Sequence, residues 1–194
     1  GAKQPHRVMV QLPDSYDASK RCVVVAASSG SRGIYGAIAL AGGWGLPRGC
    51  AVAYTDKGAG TGYVDTATGI GVRLDGEPEG EGDTAEFSPS KHAGEGIAPI
   101  AIKHAHSGDN PEADWGRHVR QAADFALEVL QLADPGGAPY THANTRVIAV
   151  GVSNGGGAVL RAAELTQQWL DGVVAISPNI LPGEGGRALY DYST

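Results

Sequence analysis

Residues 146–168 read RVIAVGVSNGGGAVLRAAELTQQ, and this stretch decides the fold. Its opening, RVIAVGV, is apolar and rich in β-branched side chains, as in a strand buried on both faces. From 155 onward the spacing of apolar residues turns helical, and a helix is predicted over 155–168. Between strand and helix lies Gly151-Val152-Ser153-Asn154-Gly155, the pattern G-x-S-x-G. Five residues of this kind arise by chance. Their position between a buried strand and a helix points to a nucleophile elbow, in which a sharp turn holds a serine at its tip. Flanking side chains would clash there, which accounts for Gly151 and Gly155. The helix N-terminus behind Ser153 favours the negative charge of a tetrahedral intermediate, and the N–H of Asn154 is the expected first oxyanion donor. The competing reading is an ordinary tight turn with a capping serine.

Working outward, other segments repeat the alternation. A strand is predicted over 6–12 (HRVMVQL), ended by Pro13-Asp14. Cys22–Ala27 and 49–55 (GCAVAYT) are continuous apolar strands, and Val173–Ile176 is predicted as a fourth buried strand. A long helix is expected from Asn110 to about Ala133, because Trp115, Val119, Ala122, Ala123, Ala126, Leu127 and Leu130 recur at helical spacing. Strands alternating with helices imply an α/β fold, with a mostly parallel central sheet and right-handed crossovers. Together with the elbow, this predicts the α/β-hydrolase type, incomplete in this chain and forming one domain part over 1–194. Residues 59–96 are Gly-, acid- and Pro-rich without periodicity and read as an insertion, followed by a short extended segment at 97–103. The acidic run at 75–83 fits no EF-hand spacing.

The second oxyanion donor is expected from the loop after the strand at 22–27, with Ser29 and Gly30 as candidates. Asp56 and Lys57 end a strand at the carboxyl edge of the sheet, where such folds bind ligands, and are candidate substrate-lining residues. A salt bridge is the alternative there. His104 and His106 share one side if extended. They are read as substrate-lining; a third ligand at metal spacing is not evident, so no metal is expected. The catalytic base is the gap. In this fold the order is Ser, then Asp or Glu, then His. No histidine follows Ser153, the last being His142, and Glu164 and Asp171 belong to the helix and its end. The acid and the base are therefore expected beyond Thr194, with His104 or His106 as an atypical alternative.

Bulk properties narrow the function. A chain of 194 residues with 42% hydrophobic content is enough for a packed core. A net charge of −6 without basic blocks argues against nucleic acid or an anionic membrane as partner, and no apolar run is long enough to span a bilayer. Cys22 and Cys50 each start a strand, so buried free thiols are expected; one Cys22–Cys50 bridge in an oxidising compartment is the alternative. The chain begins at Gly rather than Met and reads as a mature, processed or cut product. Extracellular or periplasmic placement is favoured over cytoplasmic, which stays open, as does the oligomeric state.

Several long stretches, in order, carry a resemblance: SSGSRGIYGA at 28–37, WGLPRGCAVAYTDKG at 44–58, KHAHSGDNPEADWG at 103–116, VSNGGGAVLRAAE at 152–164 and RALYDYST at 187–194. They resemble the D-(−)-3-hydroxybutyrate oligomer hydrolases over nearly the whole chain, least at 60–96 and 133–145. The chain resembles an internal piece of that longer family protein. The resemblance implies hydrolysis of short (R)-3-hydroxybutyrate oligoesters to monomers, downstream of polyhydroxybutyrate depolymerases in bacteria, with the serine at Ser153. It implies a carboxylic ester hydrolase with a small oligoester substrate and no cofactor. A more distant similarity joins tannase and feruloyl-esterase-like hydrolases, where a strand also ends in an Asp-x-Gly turn like Asp56-Lys57-Gly58. The rival readings are such an aromatic-ester hydrolase, or an incomplete fragment that binds without turnover.

Overall fold

The computed structural model describes residues 6–30, 32–58, 62–73, 75–80, 82–83, 85, 87–89, 99–102, 111–166, 168–180 and 185. Its centre is a five-stranded sheet formed by β1 (Val8–Gln11), β2 (Cys22–Ala27), β3 (Ala51–Thr55), β6 (Arg146–Val152) and β7 (Gly172–Ile176), in the order β1-β3-β2-β6-β7. The pairs β2–β3, β2–β6 and β6–β7 are parallel, and only β1 runs antiparallel, against β3. A separate two-stranded antiparallel sheet joins β4 (Tyr63–Asp65) to β5 (Ile100–Ile102).

The apolar runs are central because both faces are covered. Every residue of β2 and β3 is buried. Successive side chains point to opposite faces. Val23, Val25, Ala27, Ala51, Ala53, Val147 and Ala149 pack against two helices, α2 (Trp115–Ala133) and α3 (Asn154–Ala163). Val24, Ala26, Val52, Tyr54 and Val150 face the other way, onto Ile34, Ala37 and Ala41. Each such buried valine contributes roughly 1.5–3 kcal/mol relative to exposure. The second layer is an irregular helical run. It passes from a 3₁₀ turn at Ile34–Ala37 through a π turn at Ile38–Gly42 and the single turn α1 (Gly43–Gly45) to a 3₁₀ turn at Leu46–Arg48. The result is three layers, helix on sheet on helical run. All seven apolar positions assigned to the long helix are buried along α2, and so is His118, which periodicity did not mark.

Four expectations are corrected. Cys22 and Cys50 form a disulfide, not two free thiols. The parallel register pairs Val23 with Ala51, so the residues one step earlier start neighbouring strands side by side. The helix after Ser153 ends at Ala163, short of 168. Trp169 turns back into the core and its indole N–H donates to the Ala162 carbonyl at 3.3 Å, which closes the helix early. Strand β7 is not buried on both faces. Val173 and Ala175 pack inward, while Val174 and Ile176 stay exposed, because β6 is the one partner it has among the described residues. The stretch at 59–96, read as an insertion without periodicity, contains the strand β4, and the extended segment expected after it contains β5.

Candidate active site

Parallel register sets the site. Ala27 pairs with Gly151 and Thr55 with Ala27. Three adjacent strands therefore leave the sheet together at its carboxyl edge, where β6 ends at Ser153, β2 at Ser28-Ser29-Gly30 and β3 at Asp56-Lys57.

Ser153 has φ 57° and ψ −124°, a left-handed backbone position that a serine enters only when its surroundings force it. Three hydrogen bonds hold it. Its N–H donates to the Ile176 carbonyl at 2.9 Å, and its own carbonyl accepts from Gly157 at 3.2 Å and Asn179 at 3.1 Å. The turn works only with glycine on either side. A Cβ at Gly151 would collide with the Gly155 carbonyl, and one at Gly155 with the Ala27 carbonyl oxygen. These contacts draw the start of α3 against both β2 and β6. Ser153 and Asn154 are half-buried and reachable.

The loop after β2 closes on the same point. The Ser28 N–H donates to the Thr55 carbonyl at 2.9 Å, its hydroxyl donates to the Arg32 carbonyl at 2.9 Å, and its carbonyl lies against Gly155. Ser29 and Gly30 follow, half-buried, with Gly30 at φ +57°. Ser29 and Gly30 thus directly follow the residue that meets the start of α3 at Gly155.

Asp56 and Lys57, the candidate substrate-lining pair, are both buried. Asp56 is fully buried and its carboxylate accepts from the backbone N–H of Arg7 at 3.1 Å and of Gly58 at 2.9 Å, fastening β1 and the turn. Lys57 is buried with Nζ 5.3 Å from the centre of the Trp115 ring. Both side chains face the protein interior. Beside them, His6 stacks on the fully buried His118, ring centres 4.1 Å apart. His6 Nδ1 lies 2.8 Å from Thr55 Oγ1 and Nε2 donates to Gln121 Oε1 at 3.0 Å. Burial holds the His6 pKa below its ordinary value, and the Gln121 hydrogen bond and the charge of Asp56 offset part of this.

His104 and His106 lie outside the described residues, as do Glu184 and Asp191. His142 pairs with Asp124 at 2.6 Å, Glu164 with Arg161 at 2.7 Å, and the Asp171 carboxylate accepts from the Val147 N–H at 2.8 Å. Each of these groups is already paired within the chain. Among the described residues, no group of three or more His, Cys, Asp and Glu could hold a metal ion, and no helix is long and apolar enough to cross a membrane.

A cleft of about 810 Å³ opens from Asn154 along α3, walled by the start of α2 and by Asn179-Ile180. Sequence reasoning missed this cleft. Its signal was available in the spacing of Asn154, Gly157 and Arg161, which lie on one face of α3.

The class that fold and site define is a mixed α/β protein with a serine in a forced turn at the carboxyl edge of its sheet. The chain belongs to the 3HB-oligomer hydrolase family, whose profile matches residues 1–188. It is 43% identical to the D-(−)-3-hydroxybutyrate oligomer hydrolase of Polaromonas naphthalenivorans, over 99% of this chain and 32% of that protein. It is 45% identical to the protein of the same name from Paracidovorax citrulli, over 92% of this chain and 28% of that protein. With the Burkholderia thailandensis protein of that name it shares 42% identity, over 96% of this chain and 32% of the relative. The chain spans about a third of the length of these curated relatives. No solved structure matches it.

Proposed function

We propose that the chain is the nucleophile-bearing part of an α/β-hydrolase-type serine esterase. In this reading the whole protein hydrolyses (R)-3-hydroxybutyrate oligomers to monomers, downstream of polyhydroxybutyrate depolymerisation. The observation that carries the reading is the backbone of Ser153, at φ 57° between a buried strand and a helix, with neither flanking glycine able to accept a side chain. Strain of this kind persists where function uses it. Family membership supplies the substrate class.

The chemistry follows in two steps. Ser153 Oγ attacks the ester carbonyl and its proton passes to a base. The carbonyl oxygen becomes an oxyanion between the Asn154 N–H and a donor from Ser29 or Gly30; one such donor contributes about 10²–10³-fold in rate. The C–O bond to the alkoxy group breaks, and the departing oxygen takes the proton and leaves as a hydroxy acid. Water then attacks the acyl-serine and releases the 3-hydroxybutyryl group. A serine hydroxyl needs a partner base to act. We assign the base and its orienting acid to the portion of the protein that the relatives have beyond this third.

An active-site-directed phosphonate ester tests the nucleophile. With the native-length protein the reading predicts one phosphonyl group, on the peptide carrying Ser153, and loss of esterase activity in step with labelling. Full labelling of another residue, with Ser153 unmodified, would overturn it. Cleavage of aromatic esters in preference to hydroxybutyrate oligomers would keep the serine and move the substrate to the tannase-like reading.

A further inference from the structure

We propose that Arg117 and Arg161, which both line the cleft opening from Asn154, form a carboxylate clamp and hold the free acid end of the oligoester. This rests on the oligomer-hydrolase reading above and adds to it the residues that read the substrate's end.

The clamp follows from helix geometry. Asn154, Gly157 and Arg161 are spaced so that they share one face of α3, and that face lines the cleft, with Leu165 just beyond the helix end. Arg161 lies seven residues beyond Asn154, about 10 Å along the axis. The wall is supplied by α2, which approaches closely because residue 116 is glycine. A Cβ there would meet the Arg161 backbone carbon at 2.8 Å and the Ala162 nitrogen at 2.9 Å. The close approach sets Arg117, the next residue, on the same cleft as Arg161.

Each guanidinium is steadied by an acid on its own helix and keeps donors to spare. Arg117 donates to Asp114 at 2.8 Å, and that carboxylate is almost buried while Arg117 itself is about half exposed, at 52%. Arg161 donates to Glu164 at 2.7 Å, with both side chains 62% exposed. An exposed pair of this kind contributes little to stability, so a ligand carboxylate competes with Glu164 at small cost. A guanidinium has five N–H donors and matches a carboxylate in a bidentate fashion. Leu165 and Ile180, also on the cleft, offer apolar contact for methyl groups.

The substrate has the complementary chemistry. A linear hydroxy-acid oligoester carries one hydroxyl end and one carboxylate end. When the serine takes the acyl group, the carboxylate stays on the departing hydroxy acid. The clamp therefore grips the leaving group. Each repeat has four main-chain atoms, one more than a peptide residue, so it spans roughly 4–5 Å, and the floor accommodates about two repeats between the scissile ester and Arg161.

The test compares the linear 3-hydroxybutyrate trimer with its methyl ester, in which the charge is removed, using the native-length enzyme. The wild type is expected to favour the free acid in kcat/KM. Arg161→Gln and Arg117→Gln should each lower kcat/KM for the acid by about tenfold to a hundredfold and leave the methyl ester unchanged. Glu164→Gln, which removes the competing anion, should lower KM for the acid alone. Equal use of acid and methyl ester by the wild type, or equal losses on both substrates in the arginine variants, would overturn the clamp. Failure of the wild type to cleave either trimer, with other esters cleaved, would instead overturn the oligomer-hydrolase reading on which the clamp rests.

Discussion

At Ser153 the local rule and the observed backbone disagree, and the disagreement is informative. A serine avoids the left-handed region, yet it sits there, fixed by three backbone hydrogen bonds and by two glycines that admit no side chain. The residue types alone exposed this position, because an ordinary strand end does not require a glycine on each side of its serine. Asp56 shows the opposite case. Its place at a strand end suggested a ligand contact, and its carboxylate accepts from two backbone N–H groups, from segments 49 and two residues away. Contacts of that range leave no local trace in sequence. His6 is a third case, and it carries a pH dependence. Burial lowers its folded pKa below the ordinary 6.5, so the folded state takes up the proton less readily than the unfolded chain. The stability it contributes is present above pH 6.5 and is lost as pH falls towards the folded value. Asp56 opposes this with its charge, and Thr55, Gln121, Arg7 and His118 face the same ring. His6→Gln should flatten the fall in melting temperature between about pH 7 and pH 5. An unchanged slope in thermal unfolding would show that other groups set it.

At the scale of elements, the continuous apolar runs of β2, β3 and β6 and the spacing in α2 were readable, since burial on both faces and helical periodicity each leave a direct pattern. The end of α3 was not. It is set by Trp169 folding back onto the Ala162 carbonyl, a contact that composition does not announce. The short strands β4 and β5 were missed as a pair because they are 35 or more residues apart and their side chains are partly exposed. The disulfide belongs to this scale as well. It ties the first residue of β2 to the residue before β3 across a sequence separation of 28, so its removal frees a loop in the unfolded chain worth about 3.6 kcal/mol. Cys50→Ala, or reduction, should lower the denaturant midpoint of the native-length protein accordingly, with little change in slope. A midpoint unaffected by reductant would show that the bridge contributes no stability.

At the scale of the molecule, sheet and helices converge on one edge. Three strand ends, the start of α3 and the start of α2 meet there, and the cleft that opens from Asn154 carries two arginines. The three-layer organisation was legible from alternating elements. The cleft was not, because it arises from the crossing of α2 on α3 at Gly116, a tertiary contact between positions 45 residues apart. Everything proposed for this edge depends on Ser153 acting as nucleophile toward a hydroxybutyrate ester. The most direct test is monomer release from the linear 3-hydroxybutyrate trimer by the native-length protein, measured beside its Ser153→Ala variant. The wild type is expected to release monomer, and kcat should fall by about 10⁴-fold or more in a variant that remains folded. Release by Ser153→Ala at the wild-type rate would remove Ser153 from the chemistry.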